Sequence, residues 1–253
     1  MLSPTELPIA LDGRGASDAA SALDASRAST TALVYRATRG GPVEPGEVTF
    51  ILAHGAGAGQ RHPFLVGFAT GLASAGIDVV TFDFPYKAQG RRMPDRAPVL
   101  EACYRTVISA VRQELDSATR HLFIGGKSMG GRMATHVAAR DPDLPIDGLV
   151  LLGYPLHPPA LPLKLRADHL PGVGRPMLFV QGTRDGFGTP AELEAVVRGI
   201  SPDPTIHEVQ GGDHSFKVPR RGAPPQEDVY ADVQRTIVEW VKSVIGSAAA
   251  RGS

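Results

Sequence analysis

A chain of 253 residues, 42% of them hydrophobic, can build one large α/β core, and 26 Lys plus Arg balance 26 Asp plus Glu. Zero net charge removes the electrostatic case for a nucleic-acid or acidic-membrane partner, and 6% aromatic residues leave little for base stacking. The lone Cys103 lies in a helical pattern and cannot form an internal disulfide, which fits a reducing cytoplasm. The first residues have neither a basic start nor an apolar core, and no run approaches 18 apolar residues. A cytoplasmic location is expected. No linker or repeat divides the chain, so a single domain over 1–253 is expected. Its core spans about 30–246, with edge strands within 7–36 and a flexible tail at 247–253.

The first candidate strands, 7–12 and 31–36, are joined by a segment too short and polar for a clear crossover helix. They are expected as antiparallel edge strands. Residues 16–29, rich in Ala, Ser and Asp, read as a loop or a weak helix. A strand at 48–54 then runs into His54-Gly55-Ala56-Gly57-Ala58-Gly59-Gln60. Small residues there let the backbone turn an N–H toward a reacting carbonyl, with Ala56 first and Gly57 next as donors. The competing reading, a dinucleotide-binding loop, lacks its spaced third glycine, although Asp83 could serve as its acidic residue. A helix at 64–75 and a strand at 77–83 follow. The segment 84–95 leaves that strand's C-terminal end carrying Tyr86 and Arg91-Arg92. A helix covers 99–115.

The strand 121–126 leads into Gly125-Gly126-Lys127-Ser128-Met129-Gly130-Gly131, and a helix covers 129–140. Strand, Gly-x-Ser-x-Gly, helix is the context of a nucleophile elbow. There Ser128 occupies a strained turn, its hydroxyl stands above the sheet, and the Met129 N–H is an oxyanion donor. Gly126 and Gly130 flank the turn because side chains would collide with the neighbouring strand or helix. Lys127 beside the nucleophile could attract a carboxylate-bearing substrate or pair with a nearby acid, and the arginines could be plain solvated surface.

A strand at 148–152 opens into 153–166, whose prolines forbid regular helix and which is too short for a helical lid. Tyr86, Tyr154, Leu156 and His157 are candidate pocket walls, or else pack on the sheet's edge. The strand 177–181 ends in a loop holding Asp185, where open α/β sheets carry functional groups. Thr189 as N-cap and Pro190 at the first helical position start a helix over 190–200. The strand 205–209 leads into Gln210-Gly211-Gly212-Asp213-His214, and a long helix covers 226–245. Ser128, Asp185 and His214 thus follow the order nucleophile, acid, base. Asp83 is the alternative acid, and Asp213 is read as shaping its own loop. The other seven histidines fall outside the position after the last strand. Short apolar runs alternating with helices predict an eight-stranded, mostly parallel sheet with helices on both faces and little or no cap. No cofactor or metal is expected.

The pattern resembles the α/β-hydrolase fold. Five segments resemble a small branch related to dienelactone hydrolases: His54-Gly55-Ala56-Gly57-Ala58, Phe82-Asp83-Phe84-Pro85-Tyr86, Gly125 to Arg132 around Ser128, Gly153-Tyr154-Pro155-Leu156-His157-Pro158-Pro159, and Gln181-Gly182-Thr183-Arg184-Asp185. That branch includes a testis-expressed protein and a subunit of a histone-acetyltransferase regulatory complex. The resemblance covers roughly 48 to 245 and implies a lidless or nearly lidless serine hydrolase. Dienelactone hydrolases use cysteine where Ser128 stands, so the resemblance favours ordinary ester hydrolysis, with a small-molecule ester as partner. The alternatives are a peptidase or amidase on the same triad, or a binding scaffold on a hydrolase fold. A scaffold has no need of a complete triad.

Overall fold

The structure is a computed structural model that describes residues 3–11, 29–219 and 224–252, so the segment 12–28 lies outside the described residues. The strands take the order β1-β2-β4-β3-β5-β6-β7-β8 in an eight-stranded, mostly parallel sheet, the order of an α/β-hydrolase fold. The chain divides into two compact units, residues 1–122 and 123–253.

In the first unit β1 (Thr5–Ala10) pairs antiparallel with β2 (Ser29–Tyr35), and β2 pairs antiparallel with β4 (Asp78–Phe82). The expected antiparallel pair is there, with β1 outermost and β2 one strand in. β4 runs parallel to β3 (Val48–Ala53), with Thr49 opposite Asp78. Every residue of β3 and β4 is buried, which explains why both are rich in apolar residues rather than alternating. Helix α1 (Pro63–Ser74) packs on β4 and starts with His62 as N-cap, its Nδ1 accepting from the Phe64 N–H. The excursion 84–95 contains a one-turn helix, α2 (Pro85–Ala88), that periodicity could not reveal. Within it Arg91 pairs with Asp95 at 2.7 Å. Helix α3 (Ala97–Glu114) buries Cys103, and α4 (Asp116–Arg120) follows at once.

In the second unit β5 (His121–Lys127), β6 (Gly148–Leu152), β7 (Met177–Gly182) and β8 (Thr205–Val209) pair parallel in sequence order. Helix α5 (Met129–Arg140) follows β5 directly. Helix α6 (Pro190–Val197) opens with a complete capping box: the Thr189 hydroxyl accepts from the Glu192 N–H at 3.3 Å, and Glu192 accepts from the Thr189 N–H at 2.8 Å. It ends three residues before the expected boundary, at Gly199 in a positive-φ turn. Helix α7 (Gln226–Gly252) overruns its expected end, so the segment foreseen as a frayed tail is helical through Gly252. Ala248, Ala249 and Ala250 are strong helix formers, and they outweigh the single break at Gly246. No helix of the described residues is long and apolar enough to cross a membrane.

A buried polar cluster ties the first unit together. Asp78, only 4% exposed, accepts from the Ala37 N–H at 2.7 Å and the Ser117 hydroxyl at 2.7 Å, and Ser117 in turn bonds Thr49. Removing the carboxylate strands an amide and a hydroxyl away from water. Asp78→Ala should therefore lose about 2–4 kcal/mol of stability in urea unfolding, whereas exposed Glu44→Ala should change little.

Candidate active site

Ser128 sits at φ 52°, ψ −116°, a region that side chains rarely enter. Two neighbours hold it there. Its N–H donates to the Leu152 carbonyl at 2.9 Å, extending the β5–β6 ladder by one step, and its own carbonyl accepts from the Arg132 N–H as the first turn of α5. The outer glycines of the motif, Gly125 and Gly131, leave no room for a side chain. A Cβ at Gly131 would lie 2.7 Å from the Gly126 carbonyl oxygen, and one at Gly125 would lie 1.9 Å from that of Val150. Ser128 occupies the N-cap position of α5, yet its hydroxyl caps nothing. It faces His214, whose Nε2 lies 2.9 Å from Ser128 Oγ.

The other ring nitrogen, Nδ1, lies 2.8 Å from Asp185 Oδ2. Asp185 is buried, and three donors surround it. Phe187 N–H reaches Oδ1 at 2.8 Å, while the Gln181 amide at 2.9 Å and the His214 ring converge on Oδ2. With Nδ1–H donating to the carboxylate, Nε2 is left as an acceptor for the serine proton. Gln181 is clamped in turn by the Tyr154 N–H and by the carbonyls of Tyr154 and Gly188. The loop that carries His214 is shaped by Asp213, whose Oδ1 accepts from the N–H groups of Ser215 and Lys217. The Gln226 side chain donates to the Phe216 carbonyl, and the Tyr230 hydroxyl donates to that of Ser215.

The sequence-predicted residues fall into three groups. Ser128, Asp185 and His214 are brought together. Met129 is the first residue of α5, where a backbone N–H has no carbonyl of its own helix to bond. Ala56 and Gly57 belong to the first unit, in a loop braced by Tyr86, whose hydroxyl donates to the Ala56 carbonyl at 2.8 Å. Asp83, the alternative acid, is engaged elsewhere in that unit, accepting from the Gln60 backbone N–H at 2.8 Å and lying 3.6 Å from His54 Nε2. Burial holds His54 below the usual histidine range, and its Nε2 accepts from the Phe84 N–H.

The residues expected as pocket walls are buried. Tyr86, Tyr154 and Leu156 are at most 1% exposed. Tyr154 spends its hydroxyl on the Arg166 carbonyl, burial pushes its pKa up to about 12, and His157 is folded in at 5% exposure. Lys127 is buried as well. Its ammonium nitrogen is sealed from solvent behind the elbow and has no hydrogen-bond partner. Near the triad Met129, His214 and Phe187 are partly exposed, and the Phe187 ring lies 4.3 Å from the His214 ring. Phe187 and Gln181 escaped the sequence reading. A lone amide in the apolar strand before Asp185 was the available sign for Gln181. Phe187 had none beyond lying two residues after the acid.

Burial lowers Lys127 from its ordinary 10.5 to about 8, against the opposing pull of Asp185 and Asp213. Between about pH 8 and 10.5 the unfolded chain therefore holds more protons than the folded one, so stability must rise with pH across that window. The shift corresponds to about 3 kcal/mol at this buried site. Relative to Lys127→Met, which lacks the group, the wild-type protein should gain roughly that amount from pH 7 to pH 11. Denaturant titrations of both proteins at stepped pH would measure it, and a constant gap would contradict it.

Residues 46–242 match the family described as Alpha/beta hydrolase domain. Similar solved structures include an α/β serine hydrolase without lid from Xanthomonas campestris, 19% identical with a TM-score of 0.67, covering 95% of this chain and 96% of that one. A dienelactone hydrolase from Anabaena variabilis is 18% identical with a TM-score of 0.67, covering 96% and 99%. Est1E from Butyrivibrio proteoclasticus is 14% identical with a TM-score of 0.68, covering 97% and 100%. These likenesses show the fold. With the family match spanning most of its length, this chain belongs to the α/β-hydrolase domain family.

Proposed function

We propose that this protein is a serine hydrolase that cleaves small carboxylic esters through an acyl-enzyme on Ser128. The observation that carries the reading is the unbroken chain Asp185 Oδ2, His214 Nδ1, His214 Nε2, Ser128 Oγ, with links of 2.8 and 2.9 Å. Ser128 Oγ attacks the ester carbonyl as its proton passes to His214 Nε2. The imidazolium is stabilised by Asp185 and returns the proton to the leaving alcohol as the tetrahedral intermediate collapses. Water then repeats the sequence on the acyl-enzyme and frees the acid. The Met129 N–H, at the positive end of α5, is the first oxyanion donor. The second is proposed, on the sequence alone, as the N–H of Ala56, with Gly57 beside it. One family match runs across both compact units, which supports treating them as one functional domain; a cytoplasmic location is proposed on the sequence alone.

A fluorophosphonate probe should label Ser128, and Ser128→Ala should abolish labelling. Asp185→Asn and His214→Ala should each lower turnover of p-nitrophenyl acetate by a factor on the order of 10³–10⁴ with circular dichroism unchanged. Labelling that survives in Ser128→Ala would remove the nucleophile from this scheme.

The reading extends to acyl-chain length. Between β6 and β7 the only helical piece is the single turn Leu170–Gly172, so that excursion holds no helical lid, and Leu161 and Leu163 project into solvent. Each methylene buried contributes up to about 0.8 kcal/mol, and an open rim realises less. Acetyl to butyryl esters should show higher kcat/KM than dodecanoyl esters below the micelle concentration. An efficiency climbing steadily with chain length would point to an acyl tunnel.

A further inference from the structure

Lys127 is the least expected residue around the triad. It ends a strand buried on both faces, it is 9% exposed, and its ammonium nitrogen makes no hydrogen bond. Beside its strand partner Leu152, groups from the loops that carry Asp185 and His214 act on it. Its nitrogen lies 5.9 Å from the centre of the buried Phe216 ring, two residues past His214. Asp185, from the loop after β7, and Asp213, from the loop after β8, are the two carboxylates that act on it. Gly153, at the end of β6, marks the closeness of the contact. A Cβ there would fall 2.8 Å from Lys127 Nζ, 2.9 Å from the His214 carbonyl oxygen and 3.4 Å from His214 Nδ1. Only a glycine leaves room for cation and base to share this spot.

Building on the serine-hydrolase reading above, we propose that Lys127 is a positioning residue of the triad, whose sealed ammonium offsets the Asp185 carboxylate and so limits how readily His214 takes on positive charge. An unopposed buried carboxylate in contact with an imidazole favours the protonated ring. A protonated His214 cannot accept the serine proton. A cation fixed behind the pair weakens that hold without touching substrate, so the neutral base persists to lower pH. The device works only while Lys127 is charged, which it is below about pH 8. A purely structural lysine would bond a carbonyl or carboxylate, and this one bonds neither.

The experiment is a kcat/KM profile from pH 5 to pH 10 with p-nitrophenyl acetate, for wild type, Lys127→Met and Lys127→Gln. The expected result is an acidic limb moved upward by on the order of one pH unit in both variants. That makes them about tenfold slower on the limb, while the rates above pH 9 stay within a few-fold of wild type. An unmoved limb, a limb moved downward, or an equal loss at every pH overturns the proposal. So does unfolding of both variants, because taking away an unpaired buried charge should stabilise the chain. If wild type neither hydrolyses the ester nor reacts with a fluorophosphonate, the hydrolase reading fails by itself. The Lys127 inference then stands or falls on the ring-proton titration of His214, assigned with His214→Gln, whose midpoint should move up in Lys127→Met.

Discussion

The backbone of Ser128 is the constraint around which the second unit is arranged. A non-glycine residue at φ 52°, ψ −116° is strained by about 1–3 kcal/mol and persists only where its surroundings leave no alternative. Here the strand fixes the residue from one side through the Leu152 carbonyl, and the helix fixes it from the other through the Arg132 N–H. Relaxing the turn would break one or the other. The strain also explains a local anomaly. Serine is a favoured N-cap, and in an unstrained cap its oxygen would accept from the helix's own N–H groups. The twisted turn carries the hydroxyl away from them, so it is free to meet His214.

The acid and the base are aligned before their side chains touch. β7 and β8 run parallel, with Gly182 opposite Val209, so their following loops leave the sheet side by side. Backbone bonds then join those loops: Thr183 N–H to the Val209 carbonyl, and Arg184 N–H to that of Gly212. Gly182 permits the approach, since a Cβ there would lie 2.3 Å from the Gly212 carbonyl oxygen. With both loops joined, the contact between Asp185 and His214 costs little further ordering, and the three donors on Asp185 keep its charge in place. Because the acid sits on an ordered strand end, the imidazole's orientation comes from the sheet itself.

How much of this could be read from the chain depended on whether the signal was local. Strands β6 and β7 appear as apolar runs, and the start of α6 is written in Thr189, Pro190 and Glu192. The triad was legible for the same reason, because each member follows a strand and the order is fixed by the fold. What escaped depends on side chains meeting across the chain. Tyr86 and Tyr154 follow the C-terminal ends of β4 and β6, the usual place for pocket walls, and only packing reveals that their hydroxyls are spent on carbonyls. The short α2 and α4 are too brief for a period to show. Lys127 reads as an ordinary charged residue until the depth of β5 is known.

The departures from ordinary protein chemistry in the second unit are not scattered. Among the described residues, Ser128 and Phe216 are the non-glycine positions with positive φ, and Phe216 is also fully buried. The unpaired ammonium of Lys127 lies over the Phe216 ring, with Ser128 next to it in sequence. The Asp78–Ser117–Thr49 cluster and the capping box of α6, by contrast, have their polar groups satisfied. A sequence selected for stability alone would relieve such strain: glycine would suit the two left-handed positions, and an apolar residue would suit the sealed end of β5. All three unfavourable choices fall on the elements that present the serine and the histidine. The simplest physical account is that the stability given up here is held as geometry and charge at the reacting atoms. In the proposed scheme Phe216 turns the loop that carries the base, Ser128 projects the nucleophile, and Lys127 sets the field between them.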